Sequence, residues 1–353
     1  MKIKNIFPFA ASALLLASCG IYNKYERPEV NAQGLIRDVQ SDTDTLAVAD
    51  TTSFGNLPWR QVFTDPQLQS LIETALAHNT DYLNCALNVK MVEAQLTMAK
   101  LAFLPSVAFT PQGTISQWDG NKASKIYSLP VSASWTVDLF GNILNVKRST
   151  QMQLLGMKDY QLVVKTKLIT NVANMYYTLL MLDRQLEILN SMSELTQDTW
   201  RIMKLQKELG RANETSVQSA EASHYGVLTN IADMKRQIRE VENSLSLVLG
   251  QPAQAIARGK LADQSLPTEF STGVGIQLLA NRPDVHYAEM ALASCFYDTQ
   301  QARSNFYPQL TISGTGAFTN NSGGGIVNPG KWLLSAVGSL VQPIFQNGRL
   351  VAG

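Results

Sequence analysis

The chain has 353 residues, with 29 Lys and Arg against 28 Asp and Glu and a formal net charge of +1. A balance this close to zero leaves no electrostatic footprint for a phosphate backbone, which argues against nucleic-acid binding. Removal of the 18-residue leader described below would leave 335 residues near −1, so that exclusion stands.

Residues 1–18 read as a lipoprotein signal peptide. Lys2 and Lys4 give the basic start, and residues 6–16 form an apolar run too short to span a bilayer as a stable helix. Leu16-Ala17-Ser18-Cys19 resembles a bacterial lipobox, which implies cleavage before Cys19 and lipidation of its thiol and new amino terminus. Gly20 is not the Asp that usually retains lipoproteins in the inner membrane, so the outer membrane is favoured. Residues 19–58 are polar and read as a lipidated tether.

Order resumes at Trp59. Asp65-Pro66 is a helix start, with Asp as cap and Pro at the first helical position. Leu68, Leu71, Ile72, Ala75, Leu76, Leu83, Leu87 and Val92 carry one helix to about Phe103, and Leu104-Pro105 stops it. The period then changes from helical to two. Tyr127, Leu129, Val131, Ala133, Trp135 and Val137 alternate with Ser128, Pro130, Ser132, Ser134, Thr136 and Asp138. With residues 106–118 as partner, this segment makes a hairpin around Asp119-Gly120-Asn121. Both strands reach the roughly 9–11 residues that cross a bilayer. Tyr127, Leu129, Val131 and Trp135 are the expected lipid-facing set, opposite a polar lumen. A soluble sandwich hairpin alternates in the same way; the very long helices on either side favour the membrane reading.

Residues 142–209 contain no proline and one glycine, Gly156. Helical throughout, they would run about 100 Å at roughly 1.5 Å per residue. Leu182, Leu186, Leu189, Ser193, Thr196, Trp200 and Met203 form one seam, and Ile188, Met192, Leu195, Thr199, Ile202 and Leu209 a second beside it. Two adjacent seams require a neighbour on each side. A sharp tip, Leu209-Gly210-Arg211-Ala212-Asn213, leads into a returning helix with a single seam of Val217, Ala220, His224, Val227, Ile231, Met234, Ile238, Val241, Leu245 and Val248. The pattern predicts a hairpin over 141–249 within a curved wall of antiparallel helices.

After a connector at 251–280, the plan restarts. A helix opens at Asn281-Arg282-Pro283-Asp284-Val285 and stops at Tyr307-Pro308. Strands at 309–318 and 332–341 follow, around a loop at 320–330. Pro105 to Phe140 spans 35 residues and Pro308 to Phe345 spans 37, so a helix–strand–strand unit is duplicated, as 59–250 and 281–353. The first copy continues to Gly250 whereas the second halts soon after Phe345. The expectation is a truncated second copy lacking roughly 100 residues, its own long hairpin, by analogy with the first. Within this frame Cys85 and Cys295 fall at different helical heights, too far apart to pair, and read as small buried residues.

These blocks carry a family likeness. The chain resembles the outer-membrane efflux proteins of the TolC superfamily, in the lipoprotein branch that includes OprM and NodT-type proteins. The resemblance rests on the lipobox, Tyr25-Glu26-Arg27-Pro28, Trp59…Phe63-Thr64-Asp65-Pro66…Asn79 and Trp135-Thr136-Val137-Asp138-Leu139-Phe140-Gly141. It continues through Asn281-Arg282-Pro283-Asp284-Val285…Ala288-Glu289, Phe306-Tyr307-Pro308-Gln309-Leu310 and Gln342-Pro343-Ile344-Phe345…Gly348. The fold it implies is mainly α with a transmembrane β part. Long helical hairpins would form an α-barrel tunnel, and each protomer of a homotrimer would give four strands to a twelve-stranded outer-membrane β-barrel. The implied function is the passive exit duct of a tripartite efflux system for drugs or other small molecules. Its partners would be a periplasmic membrane-fusion adaptor, an inner-membrane pump of the resistance-nodulation-division type, and outer-membrane lipid. Leu209, Gly210, Arg211 and Ala212 would meet the adaptor, and the gate would lie in the absent second hairpin.

No catalytic, cofactor or metal set stands out. His78, His224 and His286 share no metal-ligand spacing, and Gly323-Gly324-Gly325 lacks the Lys-Ser/Thr of a phosphate loop. Asp138 and Asp284 each belong to a junction motif without a catalytic partner. Two alternatives remain, a lipid-anchored periplasmic scaffold or adaptor without a pore, and a type I protein-secretion exit duct.

Overall fold

The computed structural model describes residues 23–28, 58–117, 119–264, 282–319 and 331–344. Cys19, the loop at 320–330 and the Phe345…Gly348 block lie outside these residues. The elements are α1 (Trp59–Val62), α2 (Pro66–His78), α3 (Thr80–Leu101), β1 (Ser106–Phe109), β2 (Gln112–Ser116) and β3 (Ser124–Val137), followed by α4 (Asn142–Glu208), α5 (Glu214–Val248), α6 (Pro283–Ser304), β4 (Gln309–Thr319) and β5 (Lys331–Val341). No helix among the described residues is long and apolar enough to cross a membrane.

The chain divides into two compact units, and α3 and α4 each contribute residues to both. One unit holds the strands, the first part of α4 and α6 from Asp284 onward. Its sheet is antiparallel throughout, in the order β1–β3–β4–β5, with β2 also on β3. α4 and α6 pack closely there: a Cβ on Gly156 would lie 3.2 Å from Met290 Cβ. Their interface is unusually polar. The Ser149 hydroxyl lies 3.0 Å from that of Ser294 and donates to Asp298 at 2.6 Å, and Gln153 donates to both serines.

The other unit is helical. Leu68, Ile72 and Ala75 of α2 interlock with Val172, Tyr176, Leu179 and Leu180 of α4 and with Leu245 and Leu249, all of them buried. Asp65 caps α2 by accepting from the Gln67 N–H at 2.8 Å, with Pro66 at the first helical position. Its second oxygen accepts from the Tyr176 hydroxyl at 2.5 Å and from Gln264 at 2.9 Å. Burial works against charge on Asp65, but these hydrogen bonds outweigh it and hold the carboxyl below its ordinary range. Burial and the bond to Asp65 push the Tyr176 phenol up to about 12. Arg258, in the connector, forks onto Asp183 of α4 and reaches Glu242 of α5 at 2.6 Å. The bonds to Asp183 first, and then those to Glu242, raise its already high basicity against the effect of burial.

Three expectations need correction. The helix expected to run from Pro66 to about Phe103 breaks at Asn79. There the side chain accepts from the Tyr82 N–H at 3.0 Å and donates to the Val248 carbonyl at 3.0 Å, replacing helical bonds with a cap and a tertiary one. The strand expected over 106–118 divides into β1 and β2 around Thr110-Pro111. Pro111 has no N–H for the ladder, yet both pieces keep a single register on β3. Cys85 is buried and Cys295 is exposed, because Cys295 lies off the α6 face formed by Ala293, Ser294 and Tyr297.

Candidate membrane sheet and helical tip

Register sorts the strand residues onto two faces. Ala133 pairs with Val107 and Gly314, Val131 with Phe109 and Gly316, and Trp135 with Ile312; Leu310 pairs in turn with Leu340. Val107, Phe109 and Ile115, then Leu129, Val131 and Trp135, then Ile312, Leu334 and Leu340, are all exposed in the single chain. An exposed apolar face this broad is unusual for a soluble sheet and suits lipid. Tyr127, Leu129, Val131 and Trp135 all occupy this face by alternation, with Tyr127 opposite Gly113. Trp135 also donates its indole N–H to the Phe103 carbonyl at 2.9 Å, just past the end of α3. The reverse face carries Ser106, Thr114, Ser132, Ser134, Thr136, Thr311, Ser313 and Thr315, with Ile126, Val337 and Val341 among its apolar members.

The turn from β3 into α4 follows from Asp138-Leu139-Phe140-Gly141. Gly141 takes φ +71°, the left-handed region that a side chain would strain, and the Asp138 carboxylate caps the first turn by accepting from Leu144 N–H at 2.8 Å. Asn142 then donates to Ser304 at 2.9 Å and Asn305 at 2.6 Å, at the end of α6. Phe140 stacks on Tyr307, ring centroids 5.0 Å apart. One repeat's strand–helix junction is therefore locked onto the other repeat's helix–strand junction.

At the far end of α4 the chain reverses through a Schellman motif. Gly210 (φ +68°) donates to the Lys207 carbonyl at 2.9 Å and Arg211 to Gln206 at 2.8 Å, which satisfies the last carbonyls of the helix. Asn213 caps α5, accepting from the Ser216 N–H at 2.9 Å. Leu209, Gly210 and Arg211 are exposed and Ala212 is half-buried. Lys207 pairs with Glu214 across the turn and holds its carboxyl below the usual range. Leu209 is 71% exposed, and nothing lies near the open side of Gly210.

The two seams of α4 separate clearly. Leu182, Leu186, Leu189, Thr196, Trp200 and Met203 are buried or half-buried, as are Val217, His224, Val227 and Ile231 of α5, and the two seams meet at Thr196, Trp200 and His224. Ile188, Met192, Leu195, Ile202 and Leu209 are all exposed. His224 packs in its seam, near-parallel to Trp200 and 3.1 Å from the Thr196 hydroxyl.

Two contacts were not foreseen. Arg27 donates to Glu289 at 2.6 Å, and the Tyr25 backbone N–H donates to the Tyr297 hydroxyl at 3.1 Å while its ring meets Phe296 edge-on. Tyr25 and Arg27 are thus strapped to α6, six and eight residues after Cys19 in the sequence. Arg27 and Glu289 both lie in blocks that carried the resemblance, Tyr25-Glu26-Arg27-Pro28 and Ala288-Glu289, but a sequence does not state which blocks meet. Likewise, nothing local to Arg258 announces Asp183, 75 residues away.

A family model for the outer membrane efflux protein matches residues 71–251 and 275–353. The probable efflux pump outer membrane protein TtgC of Pseudomonas putida is 26% identical over 362 residues, covering 99% of this chain and 74% of that one. The cation efflux system protein CusC of Escherichia coli is 25% identical over 355 residues, covering 98% and 75%. A crystal structure of CusC superposes with a TM-score of 0.79 at 23% identity, over 94% of this chain and 74% of that one, a likeness of fold.

Proposed function

The chain belongs to the outer membrane efflux protein family, and on that footing we propose that three copies close one twelve-stranded barrel, four strands from each. It is an outer-membrane efflux channel, mainly helical with a membrane β part. The observation that carries the trimer is the sheet itself. Its apolar face is ready for lipid, but β1 with β2 at one edge and β5 at the other each pair with a single neighbour among the described strands. Open edges are not tolerated in hydrocarbon, and four strands cannot close alone.

On this reading Cys19 is lipidated, and the strap at Tyr25 and Arg27 holds the anchored segment against α6. The tip at Leu209, Gly210, Arg211 and Ala212 receives a periplasmic adaptor, which links the duct to an inner-membrane pump of the resistance-nodulation-division type. The cargo is a small molecule. One relative serves cation efflux and another toluene efflux, so resemblance alone does not choose the cargo.

Site-directed spin labels along β3 in lipid bilayers test the membrane reading. Labels at Leu129, Val131 and Trp135 should collide with oxygen dissolved in lipid, and labels at Ser132, Ser134 and Thr136 with a water-soluble nickel chelate. Equal access to the nickel chelate on both faces would make this a soluble sheet and remove the channel. Incorporation of a radiolabelled lipid precursor tests the anchor: it should occur in the natural protein and vanish in Cys19→Ala.

A further inference from the structure

We propose that the membrane part of the passage holds a charge-free, hydroxyl-lined belt that admits cations and anions alike, so cargo is sorted there by size and polarity and not by sign of charge. The inference rests on the barrel reading above. It begins with three consecutive cross-strand rows on the face opposite the lipid-facing set: Ser132 with Thr315, Ser134 with Ser313, and Thr136 with Thr311. β5 extends the first and third rows with Ser335 and Ser339.

No formal charge interrupts these rows. The charged residue of β1–β4 is Lys125, whose register partner is Ile115, so alternation places it with the apolar face. Lys331, opposite Thr319 at the end of β5, holds a register position on this face, but Thr319 lies four residues beyond Thr315, about 13 Å along the strand and outside the roughly 8 Å over which a charge acts at physiological salt. Asp138, the acid next in sequence after β3, is engaged in capping the Leu144 N–H. Threefold symmetry would turn any charge on this face into a ring of three, and charged rings are how pores select ions by sign. A hydroxyl is both donor and acceptor, and one not held by a strong bond turns its hydrogen toward an anion and its oxygen toward a cation; Ser313 is held only by a long 3.4 Å bond to the Val337 carbonyl. A wall of such groups solvates both signs without reorganising the backbone.

The test uses the full chain in intact outer membranes, in a background carrying Cys85→Ser and Cys295→Ser. Ser134→Cys and Ser313→Cys variants are labelled from outside with cationic and anionic methanethiosulfonate reagents of similar size. Each rate is divided by that reagent's rate with a small free thiol. The expected ratio of cationic to anionic rates is close to unity at both positions. Adding Ser132→Asp should skew the ratio at Ser313→Cys toward the cationic reagent by about tenfold, the scale on which a ring of charges acts across a water-filled pore. A skew of that size without the added Asp would overturn the proposal while leaving the barrel intact. If neither reagent reaches Ser134→Cys or Ser313→Cys while both label Leu129→Cys, the faces are reversed, and the barrel reading falls together with the inference.

Discussion

Asp65 shows how much one residue can be asked to do. It caps α2, receives the Tyr176 hydroxyl and receives Gln264 from the connector, so three segments meet on one carboxylate. Its folded carboxyl is held below its ordinary range. The stability it supplies is therefore complete above the unfolded pKa and is lost as pH falls through the lower folded value. Asp65→Asn should melt earlier than the natural protein at neutral pH, by about 1–2 kcal/mol for a lost charged cap and hydrogen bond. The gap between the two should shrink as the solution is acidified through the carboxylate range, which thermal melts at stepped pH would show. A gap that stays constant with pH would detach the effect from the charge. Gly210 makes a different demand, on backbone conformation. Its φ of +68° and its open surroundings mean that Gly210→Val strains the turn without a clash. Pump-dependent efflux should fall while trimers persist, as measured by drug susceptibility alongside heat-sensitive gel migration. Unchanged susceptibility would count against the tip as the docking point.

At the scale of elements, the connector is held by a fork of opposite charges. Arg258 is largely shielded, with Asp183 and Glu242 on either side. Arg258→Met would leave two partly buried carboxylates facing each other, at a cost of about 3 kcal/mol. The loss of thermal stability should be partly recovered when Asp183→Asn and Glu242→Gln are added. If Arg258→Met melts like the natural chain, the fork is ornamental. This fork was invisible in the sequence, as were the Asn79 break and the Arg27 strap, for a common reason. Each depends on a partner far along the chain, and no local period records it. What period can record was legible. The two seams of α4 followed from spacing alone, and their different fates, one packed and one exposed, follow from having one returning helix and two stripes. The alternation of β3 placed Tyr127, Leu129, Val131 and Trp135 on one face before any partner strand was known. Pro111 was visible in the sequence as well, but its consequence, two short strands sharing one register, needed the ladder to show it.

For the whole molecule, the single chain is a part looking for its copies. Among the described residues it offers an apolar sheet face, two sheet edges with one neighbour each and an uncovered helical seam. Each of these would be a liability in a monomer, through edge-to-edge pairing or apolar association, and the proposed threefold closure would pair the edges while lipid covers the apolar face. The family resemblance pointed there from motifs spread along the sequence. The structure adds the physical reason, namely that the exposed apolar face and the strand edges belong to one sheet. The most direct test is the subunit count of the particle extracted from outer membranes in mild detergent, read by native mass spectrometry. Three chains per particle is the result this account predicts. A stable particle of one chain would mean that the edges are closed some other way, and would contradict it.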